Sequence, residues 1–175
     1  MATASADQPL KGLRVLLLAL RKLLPNHPGL RLLVVGKLRA GSDTEKLIRK
    51  LALASHIDFV SGISTSELVR HYGESTLVVV PSLYEGFGLP IIEAMACGAA
   101  VLTSNGSSLA EIAGAAATLA DPHDPEALAE ALVTLLSDDA QRFAQRTRGL
   151  ARATEFSWAR TAAETAAIYR QVMAA

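Results

Sequence analysis

The sequence predicts an α/β protein with a doubly wound parallel sheet and extra helices at its C-terminal end. Three observations lead there. Strand-length hydrophobic runs alternate with helix-period runs up to about residue 120. The strand-like runs are continuously apolar, as strands covered on both faces are. Only helical patterns follow them, so strands and helices interleave first and helices finish the chain.

The elements follow in order. From Leu13, apolar residues recur at Leu16, Leu17, Leu20, Leu23 and Leu24, one face of a helix that stops near Pro25. Val15 and Leu18 widen the stripe, as in a helix covered on more than one side. RLLVVG, residues 31–36, is a leucine and β-branched run closed by glycine, a buried strand. Ser42 with Glu45 three places on reads as a capping box, opening a helix to about Ala54. IDFVSG, residues 57–62, is the next strand, and Ser64 with Glu67 caps the next helix.

LVVVPS, residues 77–82, is a fully apolar strand, with helix from Leu89 to Cys97. A strand at 100–103, a short helix near 109–113 and a short strand at 118–119 complete the alternation. Asp124 caps a further helix with Pro125 in its first turn. Another runs over about 139–154, and a last one follows Trp158, which is expected to pack it. Residues 1–9 are small and polar, either a frayed start or the end of a first strand whose beginning was cut away.

Size and composition bound the function. A chain of 175 residues makes one domain, here 1–175, with a full core, and half its residues are hydrophobic. The formal net charge is zero, which argues against nucleic-acid binding as the main task. No apolar run reaches the roughly 20 residues of a transmembrane helix. The single cysteine, Cys97, excludes an internal disulfide and suits a reducing compartment, taken as the cytoplasm.

One stretch stands out: PSLYEGFGLPIIEAMACG, residues 81–98, with seven residues between Glu85 and Glu93. The loop leaves the carboxyl end of a buried strand, where open parallel sheets bind ligands. Gly86 and Gly88 allow close backbone approach, and Pro90 suits a first helical turn. The unpaired amides of about Gly88 and Leu89 make an anion site. Two carboxylates beside an anion fit a ligand with diols at both ends and phosphates between. Glu93 has a second reading, as an acid placed in the first turn for the helix dipole alone.

The same run resembles the signature of family-4 retaining glycosyltransferases, whose GT-B fold joins two Rossmann-like halves. PLKGL, LLVVGK, IDFVSGIS, SNGSSLAEIAG, LADPHDPEALAEAL and FSWARTAAETAAIYR fall in the family's order between Pro9 and Tyr169. The resemblance is to the C-terminal, donor-binding half, and implies that the N-terminal acceptor-binding half is absent from this chain. It implies that Glu85 contacts the transferred sugar and Glu93 the ribose hydroxyls. It assigns the amides of Phe87, Gly88 and Leu89 to the sugar and diphosphate, counts Gly86 among the donor-binding residues, and assigns the backbone at Gly62 and Ile63 to the base. Lys11 matches a basic residue that neutralises the departing diphosphate. A lysine at a helix start opposes the dipole, so helix energetics give no reason for it, though a surface lysine is the plain alternative. Lys37, just past Gly36, is either added positive charge or another surface lysine.

Two departures stand against the pattern. Residues 2–10 contain no arginine, where the family commonly carries a second diphosphate contact. Ser107, Ser108 and Ala110 replace the usual proline and glycines; the serines either bind hydroxyls or cap the short helix. Tyr84 and Phe87 either line the sugar pocket or plug the core.

The implied reaction moves a sugar from a nucleoside diphosphate to an acceptor hydroxyl with retention of configuration. No cofactor is implied beyond the nucleotide-sugar donor. The four histidines and Cys97 show no metal-ligand spacing, so no metal site is expected. The alternative is a nucleotide-sugar binding module without turnover, since the isolated half cannot close a two-domain cleft. A nucleotide-sugar epimerase would need further acid–base residues that the sequence lacks. The expected partners are the nucleotide sugar and the absent acceptor half, with peripheral membrane contact left to the parent protein.

Overall fold

A computed structural model describes residues 1–3 and 8–174. Its strands are β1 (Ala2–Thr3), β2 (Leu32–Val35), β3 (Ile57–Val60), β4 (Val78–Val80), β5 (Val101–Ser104) and β6 (Thr118–Ala120). All pair in parallel, in the spatial order β3-β2-β1-β4-β5-β6. The helices are α1 (Leu13–Leu23), α2 (Asp43–Lys50), α3 (Thr65–Glu74), α4 (Leu89–Ala96), α5 (Ser107–Ala113), α6 (Pro125–Ser137), α7 (Asp139–Ala153) and α8 (Trp158–Ala174).

The sheet is wound on both faces, and β4 shows why its sequence has no polar alternation. Val79 joins one core with Leu16, Leu17 and Leu20 of α1 and Leu128, Leu132 and Leu135 of α6. Val78 and Val80 point the other way, to Ile91 and Met95 of α4, Tyr72 of α3 and Leu109 of α5. The α/β doubly wound class read from the sequence is the observed one. α7 lies over α4, where a Cβ on Gly149 would stand 3.2 Å from Met95 Cγ, so glycine permits the close crossing.

Strand order reverses between β1 and β4, which places a crevice at their carboxyl ends. Gly12 and Gly88 open the two helices that start there.

Four details differ from the sequence reading. α2 ends at Lys50 instead of about Ala54, because Ala52 turns to φ 54 and delivers Leu53 into the core. Ser42 accepts from the Glu45 N–H, but the Glu45 carboxylate turns to Gly41 N–H, so that box is not reciprocal. α5 begins two residues early, at Ser107, which adopts φ 54. Trp158 is 80% exposed and does not anchor α8 to the core, since α8 buries no residue among the described residues. Of the ambiguous start, Ala2 and Thr3 form the central strand, and residues 4–7 lie outside the described residues. No helix among the described residues is long and apolar enough to cross a membrane.

Candidate functional site

The segments entering α1 and α4 run in backbone contact. A Cβ on Gly12, which has φ 67, would lie 1.8 Å from the Pro81 carbonyl oxygen. Leu83 N–H donates to the Leu10 carbonyl at 2.8 Å across the same seam. Gly88, at φ 108, is pressed against α5; a Cβ there would come within 2.8 Å of Leu109 Cδ2. At Gly12 only glycine satisfies both the positive φ and the spacing against backbone. At Gly88 the positive φ favours glycine, and any Cβ would have to push the Leu109 side chain aside.

Neither helix has a side-chain cap, and neither has an acid in its first turn. No acceptor among the described residues meets the backbone N–H groups of Gly86, Phe87, Gly88 or Leu89, and Pro90 has none to offer. Four consecutive donors without an acceptor therefore lie at the positive end of α4. An anion is the complementary ligand.

Glu85 is held on several sides. Its Oε1 accepts from Lys11 Nζ at 2.6 Å and from Ser82 Oγ at 2.8 Å. Ser82 is fully buried, and its carbonyl accepts from Ser104 Oγ at 2.6 Å. Glu85 N–H donates to Ser107 Oγ at 3.3 Å, while Ser108 Oγ lies 2.9 Å from the Glu85 carbonyl and 2.8 Å from that of Phe87. The carboxylate is thus aimed through one oxygen, and no described residue donates to Oε2. With side chains 28% and 14% exposed, the Lys11–Glu85 pair is shielded more than a surface ion pair.

Several sequence expectations change here. Lys11 closes the single turn Pro9–Lys11 before α1, and it is joined to Glu85, where the sequence had treated the two separately. Ser107 and Ser108 neither cap α5 nor stand free; they staple the Glu85–Phe87 loop to it. Glu93 is the fifth residue of α4, past the first turn, so the dipole alone does not account for it. Its Oε2 accepts from the Tyr72 hydroxyl at 3.0 Å, and Tyr72 is 1% exposed.

Lys37 is exposed in the turn after β2 and makes no ion pair among the described residues. Gly62, exposed at φ 68, and the half-buried Ile63 follow β3. That strand end lies two strand spacings from β1, about 10 Å. The reading of residues 2–10 as lacking an arginine falls in part on 4–7, outside the described residues.

Tyr84 and Phe87 are 63% and 49% exposed, so neither plugs the core. Phe87 meets Phe156 edge-to-face at 6.2 Å, and the Arg152 guanidinium lies 4.9 Å from the Phe156 centroid. Burial, and then the charge of Glu93, push the Cys97 thiol up, the opposite of what an activated thiolate needs. Among the described residues no three of His, Cys, Asp and Glu gather as a metal group.

Sequence reasoning missed Ser82, Tyr72 and Gly12. Ser82 had a signal, a serine three residues before Glu85 at a buried strand end. Tyr72 had a weaker one, since a phenol on a buried helix face needs an acceptor.

Comparison with known proteins adds the following. Residues 2–151 match the family model described as glycosyl transferases group 1. The MMP alpha-(1->4)-mannosyltransferase of Mycolicibacterium hassiacum is 38% identical over 178 residues, covering 99% of this chain and 43% of that protein. The solved sucrose-phosphate synthase of Thermosynechococcus elongatus superposes with a TM-score of 0.84 at 30% identity, over 99% of this chain and 45% of that one. A solved C-terminal domain of a glycosyl transferase group 1 family protein from Francisella tularensis gives 0.74 at 25% identity, over 89% of this chain and 82% of its own. The chain spans less than half the length of the first two.

Proposed function

Since the chain belongs to the group 1 glycosyl transferases, we propose that it is the C-terminal, donor-binding half of a retaining glycosyltransferase of the family-4 type. The observation that carries this reading is the run of unaccepted amides from Gly86 to Leu89, flanked by Glu85 and Glu93. A nucleoside-diphosphate sugar fits that order of groups. The diphosphate rests on the α4 tip, the sugar hydroxyls meet Glu85, and the ribose diol meets Glu93. The base extends toward Gly62 and Ile63, with Lys37 along its way. The relatives' glycosyl-transfer names and the solved C-terminal domain support the reading.

In the reaction, the bond between the anomeric carbon and the diphosphate oxygen breaks, and its electron pair leaves with the diphosphate. The acceptor oxygen bonds to that carbon from the same face, and its proton passes to the released diphosphate. Charge grows on the leaving group, so donors aimed there lower the barrier. Lys11 and the Gly86–Leu89 amides supply them, and the scheme needs no metal. The Lys11–Glu85 pair gives the lysine a position before any ligand arrives, and the Glu85 Oε2 is left to accept from sugar hydroxyls.

A second reading holds for this polypeptide by itself: a nucleotide-sugar binding module without turnover. It is favoured by the chain's 43% share of its relative's length and by the exposure of Tyr84 and Phe87 on an open crevice. The acceptor site and full activity then belong to a longer protein, working in the cytoplasm.

Calorimetric titration with uridine, guanosine and adenosine diphosphates and their sugars tests both readings. At least one binds, Lys11→Ala weakens it about tenfold or more, and Glu93→Ala does likewise. Turnover of the donor by the isolated chain separates enzyme from module. No binding of any nucleotide overturns the proposal.

A further inference from the structure

The ribose arm of the site has a support outside α4. Glu93 projects from the second turn of α4, an exposed position where a carboxylate has many rotamers available. Its Oε2 is nonetheless tied to the hydroxyl of Tyr72, which rises from the neighbouring α3. The tyrosine is 1% exposed and stands among Ile91, Ala94 and Met95 in the second core, so its ring has no freedom to follow the carboxylate. The glutamate accepts the bond, and the rigid partner sets the direction.

That arrangement has a chemical consequence. A carboxylate that grasps a vicinal diol needs its free lone pairs presented toward the sugar at a fixed angle. The bond to Tyr72 occupies Oε2 from the protein side and leaves Oε1 without a donor among the described residues. Packing alone does not require the hydroxyl: phenylalanine would fill the same volume, and a buried phenol is kept only where its O–H finds a partner.

We propose that Tyr72 is the positioning residue of the ribose site, locking the Glu93 carboxylate in the orientation that receives the 2′- and 3′-hydroxyls of a nucleoside diphosphate. The assignment rests on the donor-site reading above. It goes beyond that reading by giving ribose selectivity to a side chain on a different helix, one that touches no ligand itself.

Tyr72→Phe keeps the ring and the core and removes only the donor. The test is calorimetric titration of wild type and Tyr72→Phe with the best-bound of the uridine, guanosine and adenosine diphosphates and with its 2′,3′-dideoxy analogue. Wild type prefers the ribonucleotide by about tenfold, and Tyr72→Phe binds that ribonucleotide about three- to tenfold more weakly. Both proteins bind the dideoxy analogue equally, since neither has hydroxyls to aim at. A purely structural role would weaken both ligands alike, and that outcome overturns the proposal. So does a Tyr72→Phe protein with wild-type affinity for the ribonucleotide. A wild-type chain that binds the ribonucleotide and the dideoxy analogue equally removes Glu93 from the ribose and the proposal with it, while leaving the diphosphate site at the α4 tip standing. A wild-type chain that binds none of the three overturns the donor-site reading itself.

Discussion

The starts of α3 and α4 solve the same problem in opposite ways. Both follow a parallel strand, and both leave backbone N–H groups that the helix itself cannot satisfy. At α3 the chain supplies the partners. Ser64 Oγ accepts from Glu67 N–H at 3.3 Å, and Glu67 Oε2 accepts from Ser64 N–H at 2.8 Å. At α4 the cap residue is Gly88, no acid follows in the first turn, and the amides before it face no acceptor. Side chains of Ser42, Asp124 and Asp138 cap α2, α6 and α7 in the manner of α3. α1, the partner of α4 across the switch point, is again opened by a glycine without a side-chain cap. A missing cap costs a helix about 0.5–2 kcal/mol. The chain accepts that cost beside the crevice and avoids it at most of the helix starts elsewhere, as the proposed ligand site requires.

The largest break in this comparison comes from putting a side chain on the glycine of α1. Gly12→Ala drives its Cβ into the Pro81 carbonyl oxygen, 1.8 Å away, at a positive φ. The expected loss is more than about 3 kcal/mol, enough to unfold a marginal domain. Gly62→Ala has nearly the same φ, 68, with nothing within 4 Å, and should lose only about 1 kcal/mol. Denaturant titration of both reads the difference. Equal losses would mean that the two crossovers do not press on each other.

The next effect sharpens the contrast, because stability and binding move apart. Leu89 is 46% exposed at the first position of α4. Leu89→Glu gives α4 the first-turn acid it lacks and should stabilise the domain by about 0.3–1 kcal/mol. The same charge sits at the proposed diphosphate site, so nucleotide affinity should fall at least about tenfold. A binding constant that stays put would show that the anion is held somewhere other than the α4 tip.

How much of this was legible in the sequence follows the range of each interaction. Strands and most helix bounds were readable because burial on both faces leaves an unbroken apolar run, as in LVVVPS, and because caps are local. The open amides at Gly88 and Leu89 were readable for the same reason, since Gly-x-Gly-Leu-Pro marks a helix start without a side-chain cap, whereas Phe87 came from the family resemblance alone. Contacts between distant segments were not. Lys11 and Glu85 are 74 residues apart and Tyr72 and Glu93 are 21 apart, and no periodicity encodes who meets whom. Trp158 misled because a tryptophan is usually a packing residue, while α8 buries nothing among the described residues. Ser107 and Ser108 misled differently, their hydroxyls being spent on a neighbouring loop instead of their own helix.

The smallest effect comes from taking the charge out of the α3 cap, and pH reports it. Hydrogen bonding from the Ser64 backbone, and then from its hydroxyl, holds the Glu67 carboxyl below the usual carboxylate range. A carboxyl depressed in the folded state contributes stability that is complete above its unfolded value of about 4.3. That contribution is lost as pH falls through the lower folded value. Glu67→Gln should therefore lower the melting temperature by no more than about 2 °C at neutral pH. The gap between the two proteins should close as the solution is acidified below about pH 4. Nucleotide affinity should not change, because the α3 start has already satisfied its own donors and offers an anion nothing. Loss of binding in Glu67→Gln would make α3 part of the site, and the opposition between the two helix starts would no longer separate scaffold from crevice.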